Sequence, residues 1–412
     1  MYNHHQRQEI LAEVHARPFQ DLPAPLSLVH IAVLYDGLDG TEVEHQLLAM
    51  VRALGFEVDA GHHGFLFCRQ SQGALRYEPH NEFYTLTFYR FDSLEPLSLP
   101  QDWSESLPGA LLVGVEVLFR KNTGFIRDWV ELHFGGHQQT SSSVMSDAAI
   151  IATDFQLQPQ SGFVRVLVED IHLMPAQAGR LLQRLCEIET YRHMALLSLP
   201  LARSLMPKIT ELDQQLALVS QRSLDEDISE VLAQMMGLAA EVEALSASTA
   251  NRFSASEAYF ALVERSIQEL RENRVEGVQM VEEFMDRRLD PARRTCRSAA
   301  ARIELLSKRI ARATELIQSQ VNLAIEQQNK ELLEALNTRA SRQLRLQAKL
   351  ESLSVIVVVY YMYDLVDLAL KNVLPEGELL SMLLTGLTLS LPVIMVLLYW
   401  IIRRLMKGVT ED

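Results

Sequence analysis

Cysteine is scarce in this chain, with three residues in 412 and no paired spacing between Cys68, Cys186 and Cys296. This pattern indicates no disulfide framework and suits a reducing compartment. Net positive charge is also lacking, because the formal net charge is -15 and the pI is near 5.3. General nucleic-acid binding needs a basic footprint, so the sequence predicts no nucleic-acid partner.

Recognisable catalytic motifs are absent as well. The sequence contains no GxSxG, no GxxxxGK[ST], no GxGxxG after a predicted strand, and no HExxH or paired CxxC. We therefore predict no zinc site and identify no cofactor, and an enzyme is the least favoured class. We interpret the histidines as solvent-facing or hydrogen-bonded residues, among them His4, His5, His62, His63, His80, His133 and His137.

Two long apolar runs stand out near the C-terminus. Leu379 to Ile402 contains no charged residue, and its 24 residues exceed the roughly 20 that a helix needs to cross a bilayer. Leu353 to Leu370 is also apolar but contains Asp364 and Asp367. We predict a transmembrane helix over 352–371, a second over 379–402, and the lipid bilayer as a partner.

Charge predicts the orientation of these helices. Basic residues precede the first run and follow the second, whereas the loop Lys371 to Glu378 carries one lysine and two glutamates. The membrane-proximal basic residues are Arg339, Arg342, Arg345, Lys349, Arg403, Arg404 and Lys407. Positive residues favour the cytoplasmic side, and the N-terminus lacks the apolar segment of a signal peptide. We expect both termini to be cytoplasmic and the connecting loop to lie outside.

The first 172 residues predict an α+β or α/β cytoplasmic domain. Strand-like runs occur at 26–35, 64–68, 74–78, 83–90, 111–119, 148–155 and 163–169, and a helical pattern lies between Thr41 and Leu54. Glycine and proline punctuate these runs. The predicted outcome is a mixed sheet with at least one helix on a face.

The residues after Pro175 predict long antiparallel helices. Pro200 is expected to end or kink the first, residues 246–256 to form the turn of a helical hairpin within 173–289, and Asp290-Pro291 to start a stalk helix over 290–351. From Leu289 to Ile317 apolar residues alternate three and four apart, which predicts a coiled-coil seam between copies. A basic tail over 403–412 would end the chain.

Asp364 and Asp367 are the candidate residues for a cation path. A charge inside the bilayer normally faces a bundle interior or water, and rings of aspartate in an oligomer attract cations. Tyr360 and Tyr363 are candidates beside them, and a divalent cation would suit such a site. The alternative is that the aspartates lie near headgroups and the tyrosines form an interfacial belt.

A second basic cluster lies between Arg287 and Arg312. Nine basic residues there stand against two acidic ones, Asp290 and Glu304. The favoured interpretation is a solvated helix face opposite acidic neighbours. The alternative is a contact with an anion or a lipid headgroup.

Several long segments resemble a known bacterial family. They are HARPF, LRYEPHNEF, GRLLQRLCEIETYRHMALLSLPLAR, NRFSASEAYFALVERSIQELRE, FMDRRLDPARRTC and RQLRLQAKLESLSVIVVVYY. Across nearly its whole length the chain resembles the domain of unknown function 3422 family, predicted membrane-anchored proteins. Together with the predicted orientation, the resemblance implies a protein anchored in the bacterial inner membrane, and it supplies no catalytic or binding residue.

The order of elements is similar, more weakly, to that of CorA-type magnesium channels. Those are pentamers whose first span lines the pore and ends in Gly-Met-Asn. This chain departs there, because it has Tyr361-Met362-Tyr363-Asp364 at the corresponding place. The leading hypothesis is an oligomeric CorA-like cation channel or transporter, and we expect a homo-oligomer. The alternative is a non-conducting membrane-anchored scaffold or sensor whose cytoplasmic domain binds a partner.

Overall fold

The computed structural model of the protein describes residues 4–7, 11, 19–58, 65–97, 106–124, 126–222, 228–373 and 377–409. Its longer helices are α1 (Gly40–Ala53), α2 (Ile126–Phe134), α3 (Pro175–Leu196), α4 (Ser198–Arg222), α5 (Ile228–Leu270), α6 (Val281–Val373) and α7 (Glu378–Val409). Its strands are β1 (Leu26–Leu34), β2 (Leu66–Arg69), β3 (Gly73–Pro79), β4 (Phe83–Phe91), β5 (Ala110–Lys121), β6 (Thr140–Val144), β7 (Ala149–Leu157), β8 (Val164–Asp170) and β9 (Asn273–Arg274).

The described strands form one mixed sheet in the order β2-β3-β4-β1-β5-β8-β7-β6-β9. Neighbouring strands are antiparallel except β5 and β8, which run parallel with Glu116 opposite Arg165. A parallel pair needs a long crossover, and α2 with the β6–β7 hairpin supplies it. The predicted mixed sheet is confirmed, and helices cover both faces.

Side chains that alternate along the strands build two cores. On one face, Leu26 and Leu28 of β1 belong to a core that includes Leu181 and Leu185 of α3. On the other face, alternate β1 residues pack with Val43, Leu47 and Val51 of α1, and Leu118 and Leu167 pack with α2. Because successive strand residues point to opposite faces, a strand that is apolar throughout is covered on both sides.

The sequence patterns did not reveal β6. Its residues, TSSSV, show no apolar alternation, yet Ser141 and Ser142 are buried. The Ser141 hydroxyl donates to the Ile151 carbonyl at 2.9 Å, and the Ser142 hydroxyl donates to Glu272 at 2.7 Å. Glu272 is 130 residues from Ser142 in the sequence, so the strand depends in part on a tertiary hydrogen bond that no local pattern shows.

The helical turn predicted over residues 246–256 is wrong, because those residues lie inside α5, a helix of 43 residues. The hydroxyl of Thr249 donates to the carbonyl of Leu245 at 2.8 Å, which satisfies it within the helix. Thr249 and Ser256 are buried, so small residues here serve packing. The chain passes from α4 to α5 between Arg222 and Ile228, and residues 223–227 lie outside the described part.

The start of a helix at Asp290-Pro291 is also wrong, since α6 begins ten residues earlier at Val281. Its first N–H groups donate to side chains outside the helix: Val281 N–H to Ser142 Oγ at 3.1 Å, and Glu282 N–H to Glu272 at 3.2 Å. A local contact adds to them, because Met280 N–H donates to the Glu283 carboxylate at 3.3 Å. The break predicted at Pro200 falls between Leu196 and Ser198, which leaves Pro200 in the tolerant first turn of α4.

The apolar seam of α6 is buried inside a single chain. Cys296, Ile303 and Ile310 are 5%, 3% and 2% exposed. The adjoining contacts reach α4 and α5: Ser198 Oγ donates to Cys296 Sγ at 3.1 Å, and Arg293 Nη2 lies 2.5 Å from Glu257. The prediction that this seam mediates self-association is therefore wrong.

The chain divides into two compact units, Met1–Thr314 and Glu315–Asp412. The first contains the sheet and the helical body. The second contains the remainder of α6 together with α7, and most of its described residues are exposed.

Candidate functional site

Two helices of the second unit are long and apolar enough to cross a membrane, α6 in its C-terminal part and α7 over Ser381–Ile401. None of the residues in their apolar windows is buried. Leu353 is 59% exposed and Leu389 is 75% exposed, in contrast to the leucines of the sheet. Within one chain, neither helix therefore serves as the core of a soluble fold.

The two aspartates of the first apolar segment (Leu353–Leu370) differ in exposure and in hydrogen-bond partners. Asp364 is exposed, whereas the Asp367 side chain is 23% exposed and accepts a hydrogen bond from Lys371 Nζ at 2.7 Å. Along the helix axis Asp364 lies about 16 Å from Leu353 and about 13 Å from Val373, where α6 ends. Asp367 is thus compensated by a neighbour one turn away, while Asp364 stands exposed near the middle.

Asp367 belongs to a partly covered side of α6. Val355, Val359 and Tyr363 share this intermediate exposure and recur every four residues. A similar side of α7 consists of Leu384, Leu387, Leu391, Met395 and Leu398. The three- and four-residue spacing is typical of one helical face, so each helix has one partly shielded side and one open side.

An apolar stripe on α6 continues to Asp364. Each residue turns an α-helix by about 100°, so residues 7 or 11 apart lie nearly above one another. Eight apolar residues lie within about 40° of the direction of Asp364, namely Val321, Ala324, Leu332, Ala335, Leu346, Leu350, Leu353 and Val357. Leu332, Leu346 and Leu350 are 58%, 62% and 68% exposed. This apolar stripe has no cover within the described chain.

The tyrosines beside the aspartates lie on different sides of α6. Tyr360 and Tyr361 are 61% and 62% exposed, and their rings meet edge to face with centroids 6.0 Å apart. Tyr360 points within about 40° of Asp364, whereas Tyr363 is turned about 100° away and is partly covered. Of the two candidate tyrosines, the structure places only Tyr360 beside Asp364 on the open side.

The membrane-proximal basic residues flank the apolar segments. Arg342, Arg345 and Lys349 precede the first segment on α6, and Arg403, Arg404 and Lys407 follow the second on α7. The Arg404 guanidinium lies over the Trp400 ring, 5.4 Å from its centroid. Part of the connecting loop, residues 374–376, lies outside the described chain.

Most of the basic residues between Arg287 and Arg312 form ion pairs with acidic neighbours. Arg293 reaches Glu257 and Glu264, Arg297 reaches Glu257, and Arg309 pairs with Asp213. Partial burial would raise the pKa of Glu257, but hydrogen bonds from Arg297 and Arg293 outweigh it and hold the pKa at about 2. The favoured interpretation, a helix face opposite acidic residues, agrees with these pairs.

The histidines form no metal site within the described residues, where no group of three His, Cys, Asp or Glu side chains could hold an ion. His62 and His63 lie outside that part of the chain. Sequence patterns missed one constellation, in which His133 and His137 lie beside a buried ion pair between Glu116 and Arg165. Those residues come from separate elements, so no sequence spacing indicated them.

The sequence of the chain matches a known protein family over nearly its whole length. A sequence model described as "Protein of unknown function (DUF3422)" matches residues 2–409. Among curated proteins, none matches. The chain shows a distant likeness to the CorA magnesium transporter of Methanocaldococcus jannaschii, with 9% identity over 80% of this chain and 98% of that one. The TM-score of this likeness is 0.20.

Proposed function

The chain belongs to the DUF3422 family, and we propose that it is an oligomeric inner-membrane cation channel in which Asp364 of each copy faces a central path. One observation carries the proposal: Asp364 is exposed near the middle of an apolar helix, on the same side as the uncovered apolar stripe.

The energy of a carboxylate in lipid requires a partner for Asp364. A charged aspartate at the centre of a membrane helix costs about 2.5–3.5 kcal/mol on insertion scales. A single chain provides no described contact that covers this side chain, whereas Asp367 has Lys371. Further copies of the chain, enclosing water, would remove Asp364 from lipid.

Symmetry determines what such copies would enclose. If parallel copies of α6 pack through the apolar stripe, residues in the direction of the stripe face the common axis. Asp364 then forms a ring of carboxylates, and a ring of this kind attracts cations and repels anions. Tyr360 lies one turn away on the same side and would add hydroxyl groups to the path. Asp367 would contribute less because of its lysine.

Three polar residues interrupt the stripe outside the apolar segment. Gln328, Arg339 and Arg342 also point within about 40° of Asp364. Arginines cannot pack tightly against their symmetry copies, because like charges repel. Copies of α6 would therefore separate near Arg339, about 38 Å along the helix from Asp364, and leave a wide aqueous entrance there.

The proposed orientation places both termini in the cytoplasm. Cysteines introduced at Gly377 and at Gly408 report on opposite sides of the membrane, and the native thiols Cys68, Cys186 and Cys296 are buried. On intact cells, an impermeant thiol reagent should label position 377 and spare position 408. Labelling at 408 alone would reverse the orientation.

The proposed function is tested by flux through vesicles that contain the purified full-length chain. We expect influx of at least one of magnesium, cobalt, nickel or a monovalent cation above that of empty vesicles. Light scattering of the same preparation should give a mass of several chains. A monomer, or an oligomer with no flux of any of these cations, would contradict the channel.

A cleft in the first unit favours a second candidate, a non-conducting membrane-anchored sensor. The cleft is lined by Arg165, His133 and His137 and is large enough for a small molecule. An assembled protein that binds a ligand and conducts nothing would support this candidate over the channel.

A further inference from the structure

The cleft lies on the α2 face of the sheet and measures about 580 Å³. Small-molecule sites in proteins typically range from about 300 to 1,000 Å³ and combine apolar walls with a few convergent polar groups. Here Leu132 and Pro159 form part of the wall, while Glu116, His133, His137 and Arg165 supply polar groups. The cleft therefore has the size and composition of a ligand site.

A buried ion pair fixes one guanidinium in the cleft. Arg165 of β8 donates from Nε at 3.0 Å and from Nη2 at 2.8 Å to Glu116 Oε2 of β5. The two side chains are 10% and 2% exposed. The Nη1 group is not engaged by the carboxylate and lies 3.5 Å from His133 Nδ1. One edge of the guanidinium is thus anchored and the other is presented beside His133.

A second carboxylate orients His137. Asp154 is fully buried at its side chain, and its Oδ2 lies 3.3 Å from His137 Nδ1. A carboxylate in this position fixes the orientation of the imidazole ring. The His137 side chain is 57% exposed and lines the cleft. His137 therefore adds a positioned donor.

Burial and a neighbouring charge both act on His133. Burial, followed by the charge of Arg165, lowers the pKa of His133, so a positive charge is disfavoured there. Of these two causes, only the positive charge of Arg165 would attract an anion, because burial disfavours charge of either sign. The neutral form of an imidazole still carries one N–H and can donate one hydrogen bond.

We propose that this cleft binds a small organic anion, whose carboxylate or phosphate accepts hydrogen bonds from Arg165, His133 and His137 while its carbon skeleton lies against Leu132 and Pro159. The site is part of the first unit and does not depend on ion conduction. Carboxylate and phosphate share the chemistry of planar or tetrahedral oxyanions that guanidinium recognises.

The test uses the full-length protein in detergent and isothermal titration calorimetry. The probes are benzoate, phenyl phosphate and the neutral benzamide, at constant ionic strength. We expect saturable heat with at least one anion and none with benzamide. Binding of benzoate alone identifies a carboxylate site, binding of phenyl phosphate alone identifies a phosphate site, and no saturable binding of either anion overturns the proposal.

Variants distinguish the cleft from other anion sites. Arg165→Met combined with Glu116→Leu removes the pair together, which avoids an unpaired buried charge, and should weaken binding at least about tenfold. The matched control is Arg120→Met with Glu169→Leu, a pair on the same two strands with side chains 13% and 2% exposed. It should change affinity less than about threefold.

His133→Leu provides a second test that leaves the ion pair intact. It should weaken binding at least about fivefold without lowering the melting temperature as a folding defect would. Unchanged affinity in both the Arg165 and the His133 variants would place the anion elsewhere and overturn the assignment.

Discussion

Replacement of Asp364 by Asn should reduce cation flux through reconstituted vesicles at least about tenfold, which corresponds to about 1.4 kcal/mol in the barrier. The substitution removes the ring of negative charge that concentrates cations in a low-dielectric surround. Asparagine has nearly the shape of aspartate, so assembly should remain intact. Cation flux is measured with a fluorescent dye, and the mass of the protein in detergent is measured on the same sample.

Asp367→Asn is the matched comparison for this prediction. It lies three residues away in the same helix, but Lys371 Nζ already compensates it at 2.7 Å. It is also nearer the end of the helix, where water and salt screen charge. Its effect should be smaller than that of Asp364→Asn. Equal flux in the Asp364 variant and the unmodified protein would remove Asp364 from the path.

Glutamates at Val321 and Leu332 should dissociate the oligomer. Both positions belong to the apolar stripe, eleven residues apart, and point in nearly the same direction. Burying unpaired carboxylates between symmetry copies costs several kcal/mol, and like charges would face each other around the axis. Multi-angle light scattering should then report the mass of one chain.

The control places the same charges on the opposite side of the helix. Leu323 and Leu333 are 63% and 65% exposed and lie more than about 100° from the direction of the stripe. Glutamates at these two positions should leave the oligomer unchanged. Dissociation by both pairs would show that charge at any side of α6 is disruptive, and dissociation by neither would exclude the stripe as the interface.

Local patterns predicted those parts of the fold that local interactions determine. Apolar runs such as β1 and β5 lie within one or two residues of their predicted limits because each is covered on both faces. The start of α6 could not be predicted, since its first N–H groups bond to Ser142 and Glu272. The same holds for the polar strand β6, in which the Ser142 hydroxyl donates to the distant Glu272.

Periodicity identified buried faces but not their partners. The spacing from Leu289 to Ile317 correctly indicated an apolar seam, and only the structure shows that α4 and α5 cover it in the same chain. The Asp367–Lys371 pair is four residues apart on one helix, although the sequence patterns had assigned Lys371 to the connecting loop. The Glu116–Arg165 pair depends on strand register and was not visible.

The continuity of α6 constrains the length of the chain between the N-terminal part of the stripe (Val321 to Ala335) and Asp364. No glycine or proline lies between Pro291 and the end of the helix. The helix therefore contains no residue at which a change in its rotation about the axis is easily accommodated. One inserted residue between Leu336 and Leu353 would turn Asp364 by about 100° away from the stripe, whereas eleven inserted residues would return it to within about 20°. Insertions in this segment should therefore be tolerated only as whole helical turns. Substitutions should be tolerated more readily than insertions, because they leave the direction of Asp364 unchanged.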